Sequence, residues 1–180
     1  FITLAADDDP LSFGLPAGEF FHKQRTRTVR RDKFLYSRRI FHDLPVLKTN
    51  NAFVSRLTFA PEAATPRLRA LINKWIPDED LLTMSSEAYK RGWNHVKTYF
   101  MIGLPTERDE DVEAIVDLCI RTLKLGRTFN PKAKVNTGVS TFVPKPFTPF
   151  QWAEQITLEE AYRRQGILER GFKSHSAIKF

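Results

Sequence analysis

From about residue 54 onward the sequence repeats one pattern: an apolar stretch of strand-forming residues, a loop containing Pro or Gly, then a segment with helical apolar spacing. Strand beginnings fall near 56, 96, 135 and 176. Strands alternating with helices at such intervals pair in parallel through right-handed crossovers. The expected class is therefore α/β: a partial, incomplete β/α barrel with parallel strands over residues 54–180, preceded by a basic N-terminal extension over residues 1–53. Three strands and a stub cannot close a barrel. The sheet is expected to be open, with its edge covered by residues 1–53, by a missing half-barrel or by another chain, since an uncovered edge invites aggregation.

Local signals place the elements. Arg56–Ala60 reads as a strand; Thr65 with Pro66 reads as N-cap and first helical residue, with Leu68, Leu71, Ile72 and Trp75 on one buried face. A second helix is expected from Asp78 to Gly92, using Leu81, Leu82, Ala88 and Tyr89 for packing. His95–Ile102 is the next strand. Thr106 is read as cap of the following helix, with Glu107, Asp109, Glu110 and Asp111 favoured in its first turn by the helix dipole. Val112, Ile115, Val116, Cys119 and Leu123 form its apolar face, and Gly126 is read as its C-terminal cap. A third strand spans Ala133–Val143, a third long helix opens with Thr157-x-x-Glu160, and Ser176–Phe180 begins a fourth strand.

In sheets of this kind ligands sit beyond the carboxyl ends of the strands. Three loops belong there: Pro61–Ala64, Gly103–Thr106 and Pro144–Pro149. Gly103 lacks a Cβ and admits close approach of a ligand or of backbone, or simply makes a tight turn before a helix. Glu62 suits either a hydrogen bond to a ribose or amino group or a helix-start carboxylate. Lys145, between two prolines, suits an anion or plain solvent. His22, His42, His95 and His175 show no metal-ligand spacing with one another or with Cys119, which reads as an inert core thiol. G-x-S-x-G, the phosphate-binding P-loop and G-x-G-x-x-G are all absent, so hydrolase, NTPase and dinucleotide readings start without support.

Charge is unevenly placed. The formal net charge is +7, yet residues 19–42 alone hold eight Lys or Arg against Glu19 and Asp32. Lys23, Arg25, Arg27, Arg30, Arg31, Lys33, Arg38 and Arg39 are interleaved there with Phe20, Phe21, Phe34, Tyr36 and Phe41. Such a block either neutralises and stacks on nucleic acid, RNA being the candidate partner, or lies solvated on its own domain. No apolar run approaches the roughly 20 residues of a membrane span. One cysteine points to a reducing compartment, hence an intracellular location in cytoplasm or organelle matrix. A chain that begins at Phe1 is expected to start after processing or within a longer gene product.

Three stretches, Leu57–Lys74, Gly92–Leu118 and Val139–Trp152, together resemble the second half of the radical S-adenosylmethionine (radical SAM) barrel. The subgroup they resemble is the cobalamin-binding-domain radical SAM proteins, often described as Fe-S oxidoreductases. The resemblance implies a partial six-stranded barrel that binds S-adenosylmethionine and a [4Fe-4S] cluster. It implies that Glu62 and Thr65 meet the ribose and methionyl part, that Met101, Ile102 and Gly103 meet adenine through backbone, and that Val143 and Pro144 line the adenine side. The strand motif departs from the family pattern G-x-I-x-G-x-x-E: Tyr99 stands for the first glycine, and Glu107 falls one position late. The larger departure is chemical. Three thiolates in C-x-x-x-C-x-x-C hold the cluster in that family, and this chain has one cysteine.

Two expectations follow. In the first, the chain is a radical SAM-family portion that binds, or derives from proteins that bind, S-adenosylmethionine, with the [4Fe-4S] cluster supplied by sequence outside it. In the second, it is a catalytically dead scaffold subunit of a ribonucleoprotein, such as an organellar ribosome, anchored to RNA by residues 19–42.

Overall fold

The structure, a computed structural model, describes residues 2–5 and 56–180. One five-stranded sheet runs in the order β1-β2-β3-β4-β5. Its strands are β1 (Ile2–Ala5), β2 (Arg56–Glu62), β3 (His95–Ile102), β4 (Lys134–Thr141) and β5 (Ile178–Lys179); the helices are α1 (Pro66–Leu71), α2 (Asp78–Lys90), α3 (Asp109–Phe129) and α4 (Leu158–Phe172). Strands β2 to β5 are parallel. The sheet is α/β, open and not closed into a barrel. At its first edge β1 pairs antiparallel with β2, Ile2 opposite Phe59 and Ala5 opposite Arg56.

The side-chain period of two divides the sheet into unlike faces. Along β3, Val96, Thr98, Phe100 and Ile102 are buried, while His95 and Tyr99 are exposed. The buried set joins Leu57 and Phe59 of β2 and Val135 of β4 in a core shared with Ala88 and Tyr89 of α2, Val112, Ile115 and Cys119 of α3, and Leu168 and Phe172 of α4. Helices α2, α3 and α4 thus cover one face. A second, smaller core of Ala63, Leu68, Leu104 and Phe142 lies at the carboxyl ends of the strands, with Met101, Phe150 and Ala153 packed against it. Phe142 and Phe150 meet edge to face, with centroids 5.9 Å apart.

Three local expectations need correction. Thr65 does cap α1, its hydroxyl accepting from the Leu68 N–H at 3.5 Å with Pro66 next in sequence. But α1 stops at Leu71 and Asn73 turns left-handed at φ 58°, so the helical stripe ends before Trp75, which is 67% exposed, and Leu71 is exposed too. Helix α3 starts after Arg108 rather than at Thr106. Thr106 itself is left-handed (φ 65°), and the Arg108 N–H is satisfied by the Asp111 carboxylate at 2.9 Å. Gly126 does not end α3: it lies inside the helix where a Cβ would come within 2.5 Å of the Tyr89 ring, so it lets α2 and α3 pack closely at Tyr89. The third expected long helix keeps its cap, Thr157 Oγ1 accepting from the Glu160 N–H at 3.2 Å. Among the described residues no helix is long and apolar enough to cross a membrane.

Candidate functional site

Parallel register brings the three expected loops to one end of the sheet. Phe100 lies beside Glu62 on β2 and Val139 on β4, and Ile102 lies beside Thr141. The Phe142 N–H donates to the Ile102 carbonyl at 2.8 Å, so Gly103 and the Phe142–Pro144 stretch leave the sheet together. Backbone strain gathers at this rim: Glu62 (φ 68°), Thr106 (φ 65°) and Phe147 (φ 60°) are left-handed without being glycine. Each costs on the order of 1 kcal/mol or more and persists only where neighbours hold it.

Ion pairs do much of the holding. Asp111 accepts from the Thr65 hydroxyl at 2.6 Å, from the Arg108 N–H and from Arg67. Arg67 also donates to the Thr106 hydroxyl at 2.9 Å and to its carbonyl at 3.0 Å. Asp111 is thus the hub joining the start of α1, the loop after β3 and the start of α3. Burial by itself would raise its pKa, but the hydrogen bonds from Thr65, the Arg108 amide and Arg67 outweigh it and hold the carboxyl below its ordinary value. Glu107 goes the other way. Desolvation raises its pKa although it accepts from the Gly103 N–H at 2.5 Å and from Arg164. Arg69 is buried on α1, donating to the carbonyls of Ala63 (3.2 Å) and Ala64 (2.7 Å) and to Asp78, which also accepts from Arg121 at 2.8 Å.

Against this frame each expected ligand residue has a definite place. Glu62 is half-buried and paired with Lys74 at 3.2 Å. Thr65 is occupied by Asp111, and Met101 packs against the second core. Ile102 faces the opposite way, into the main core, where it also lines a cavity of about 240 Å³ between β4 and α4 with Val139, Leu158 and Tyr162. Gly103 is φ 84°, and the space a Cβ would fill is taken by Ile156, whose Cδ1 would be 2.7 Å away. Val143 and Lys145 are exposed and Pro144 half-buried at the outer side. The ends of β2 and β3 thus carry Glu62, Thr65, Met101 and Gly103, of which Met101 packs on the second core, and Ile102 belongs to the main core instead. Arg67 and Arg164 are the polar groups that sequence reasoning missed, and Asp111 was expected only as a first-turn carboxylate, because the partners that join them are 44 and 57 positions apart.

The basic residues expected to contact RNA, Lys23, Arg25, Arg27, Arg30, Arg31, Lys33, Arg38 and Arg39, lie outside the described residues. Cys119 is fully buried, in hydrogen-bond contact with Thr137 at 3.1 Å, and burial pushes its thiol up to about 11. Among the described residues no group of three or more His, Cys, Asp or Glu is placed to hold a metal ion.

An uncharacterized protein of Methanocaldococcus jannaschii is 38% identical to the chain over 120 residues, 62% of this chain and 26% of that protein. The chain thus spans about a quarter of the length of the curated relative it matches. No family model matches the chain, and no solved structure matches it.

Proposed function

We propose that the chain is a radical SAM-family half-barrel wall that contributes an adenosyl-binding rim to a longer protein. The observation that carries this reading is the position of Glu62, Thr65, Met101 and Gly103 at or just beyond the carboxyl ends of the adjacent parallel strands β2 and β3, where ligands of open α/β sheets bind. In this role Glu62 accepts a ribose hydroxyl, and the backbone around Met101–Gly103, with Val143 and Pro144, borders adenine. The iron–sulfur cluster does not fit these residues: the chain has one thiol, and it is sealed between α3, β3 and β4 with its pKa raised to about 11. Radical chemistry is therefore assigned to sequence outside this chain.

A second reading, the non-catalytic scaffold, is favoured by a specific observation. Ile156 fills the approach to Gly103, and the Gly103 N–H is already given to Glu107. Thermal unfolding with S-adenosylmethionine and S-adenosylhomocysteine separates the two, since a ligand that binds only the folded state raises the midpoint. The adenosyl reading expects both compounds to stabilise the chain, by about 2.7 kcal/mol at a hundredfold excess over Kd, and expects Glu62→Gln to weaken the effect. Midpoints unmoved by either compound would leave the scaffold reading standing.

A further inference from the structure

Opposite the helix-covered face, β3, β4 and β5 carry a different set of side chains. Lys97 lies in register with Asn136, and Asn136 with Lys179; one step towards the amino end, His95 lies in register with Lys134. By the side-chain period these five share one face, and neighbouring strands are about 4.8 Å apart. Three lysines and a histidine thus occupy one corner of the sheet. Tyr99 stands next to them on the same face, 40% exposed. Its ring lies across Gly138, where a Cβ would come within 2.6 Å of Cε1, and the Lys97 ammonium sits 4.6 Å over the ring centroid.

The corner is cationic for want of acids as well as for its lysines. No Asp or Glu occurs from Leu118 to Ala153 or after Glu169. At the other end of the sheet nearly every cation is spent: Arg67, Arg69, Lys74, Arg163 and Arg164 each pair with a carboxylate. Lys97, Lys134 and Lys179 make no ion pair among the described residues. The helix dipole explains cations on the last turns of helices, but these three sit on strands, Lys97 and Lys179 two strands apart with Asn136 between them and Lys134 beside His95, which spreads them about as far apart as neighbouring phosphates.

We propose that this face, free of helices among the described residues, binds single-stranded nucleic acid, with Lys97, Lys134 and Lys179 on phosphates and one base stacked on Tyr99. The Tyr99 ring lies across Gly138 on one side, and on the other a base displaces the Lys97 ammonium from over the ring onto a phosphate, so one residue pair supplies both a sequence-tolerant stacking surface and counterion release. An anionic membrane fits less well, because the face is a sheet with Asn136 at its centre and offers no apolar stripe to insert. The residues of this surface are other than 19–42, and the inference rests on the scaffold reading, because in a closed barrel the face opposite the helices is the interior.

The test is equilibrium binding of a labelled single-stranded RNA of about 20 nucleotides to the full chain across a salt series. Tyr99→Leu is expected to lower affinity about tenfold with the salt slope unchanged, and Tyr99→Phe to restore it. Replacing Lys97, Lys134 and Lys179 together with Ser is expected to flatten the log–log salt slope by about two, at roughly 0.7 per phosphate contact. Arg108→Ser, at the far end of the sheet, keeps both affinity and slope, and a similar unfolding midpoint shows that each variant is folded. Wild-type affinity and slope in both Tyr99→Leu and the triple variant, with loss only on replacing the cations of residues 19–42, would overturn the proposal. So would binding to phosphatidylserine vesicles without binding to RNA.

Discussion

Asp111 shows what a single side chain does here. Its carboxylate ties α1, the loop after β3 and α3 through Thr65, Arg67 and the Arg108 amide. Because its folded pKa lies below the ordinary 3.8, its contribution is fully present above that value and is lost as pH falls through the depressed one. Asp111→Asn should cost about 2 kcal/mol near neutrality, discounted for a partly exposed Arg67 partner, and urea midpoints of variant and wild type should converge as the solution is acidified below 3.8. Glu107 carries the opposite sign: with its pKa raised, its penalty is present at neutral pH and is relieved on acidification. Gly126→Ala should destabilise by about 1–3 kcal/mol, because the added methyl enters the Tyr89 ring rather than open space. In the sequence that glycine is indistinguishable from a helix stop. Only the packing of α2 on α3, a contact between distant positions, tells close approach from termination.

At the scale of elements, the segment after β4 acts as a strap over the rim. It passes from Phe142 through Phe150 and Ala153 in the second core to Ile156 over Gly103, and α4 then locks it by Arg164 on Glu107. The strap's most exposed side chains, Phe147 at 99% and Trp152 at 90%, are not part of that packing. Ile156→Ala should lower stability by about 1–2 kcal/mol, less than a fully buried isoleucine, because Ile156 is half-buried. If the rim is an adenosyl site, the same substitution opens the approach to Gly103 and tightens S-adenosylhomocysteine binding; weaker binding would count against that site. Strand and helix positions were legible because each element carries its own period and caps: the third strand of the sheet falls at His95–Ile102 as the alternation predicts. The strap was not legible. Its course is set by tertiary contacts of Phe142, Phe150 and Ile156, and proline-rich sequence signals an extended loop without saying where it lies.

At the scale of the molecule, the sheet carries its described helices on one side, and Cys119 reports on that packed side. The thiol is fully buried where α3 crosses β3 and β4, touching Thr98 at 3.8 Å and Thr137 at 3.1 Å. An exposed thiol, with a pKa near 8.5, is largely reactive in mildly alkaline buffer, whereas this one, raised to about 11, stays protonated as well as covered. Labelling by a thiol reagent at about pH 8 should therefore proceed only through molecules that have opened. If the two faces of the sheet fold as one unit, the labelling rate across a urea series will follow the global unfolding free energy, and Phe100→Ala, costing about 3–5 kcal/mol in the same core, will accelerate it in proportion. Labelling that is fast in water and indifferent to urea would mean that α3 lifts from the sheet by itself. In that case the rim, which is tied to α3 through Asp111 and to α4 through Glu107, would be a moving part instead of a preformed one.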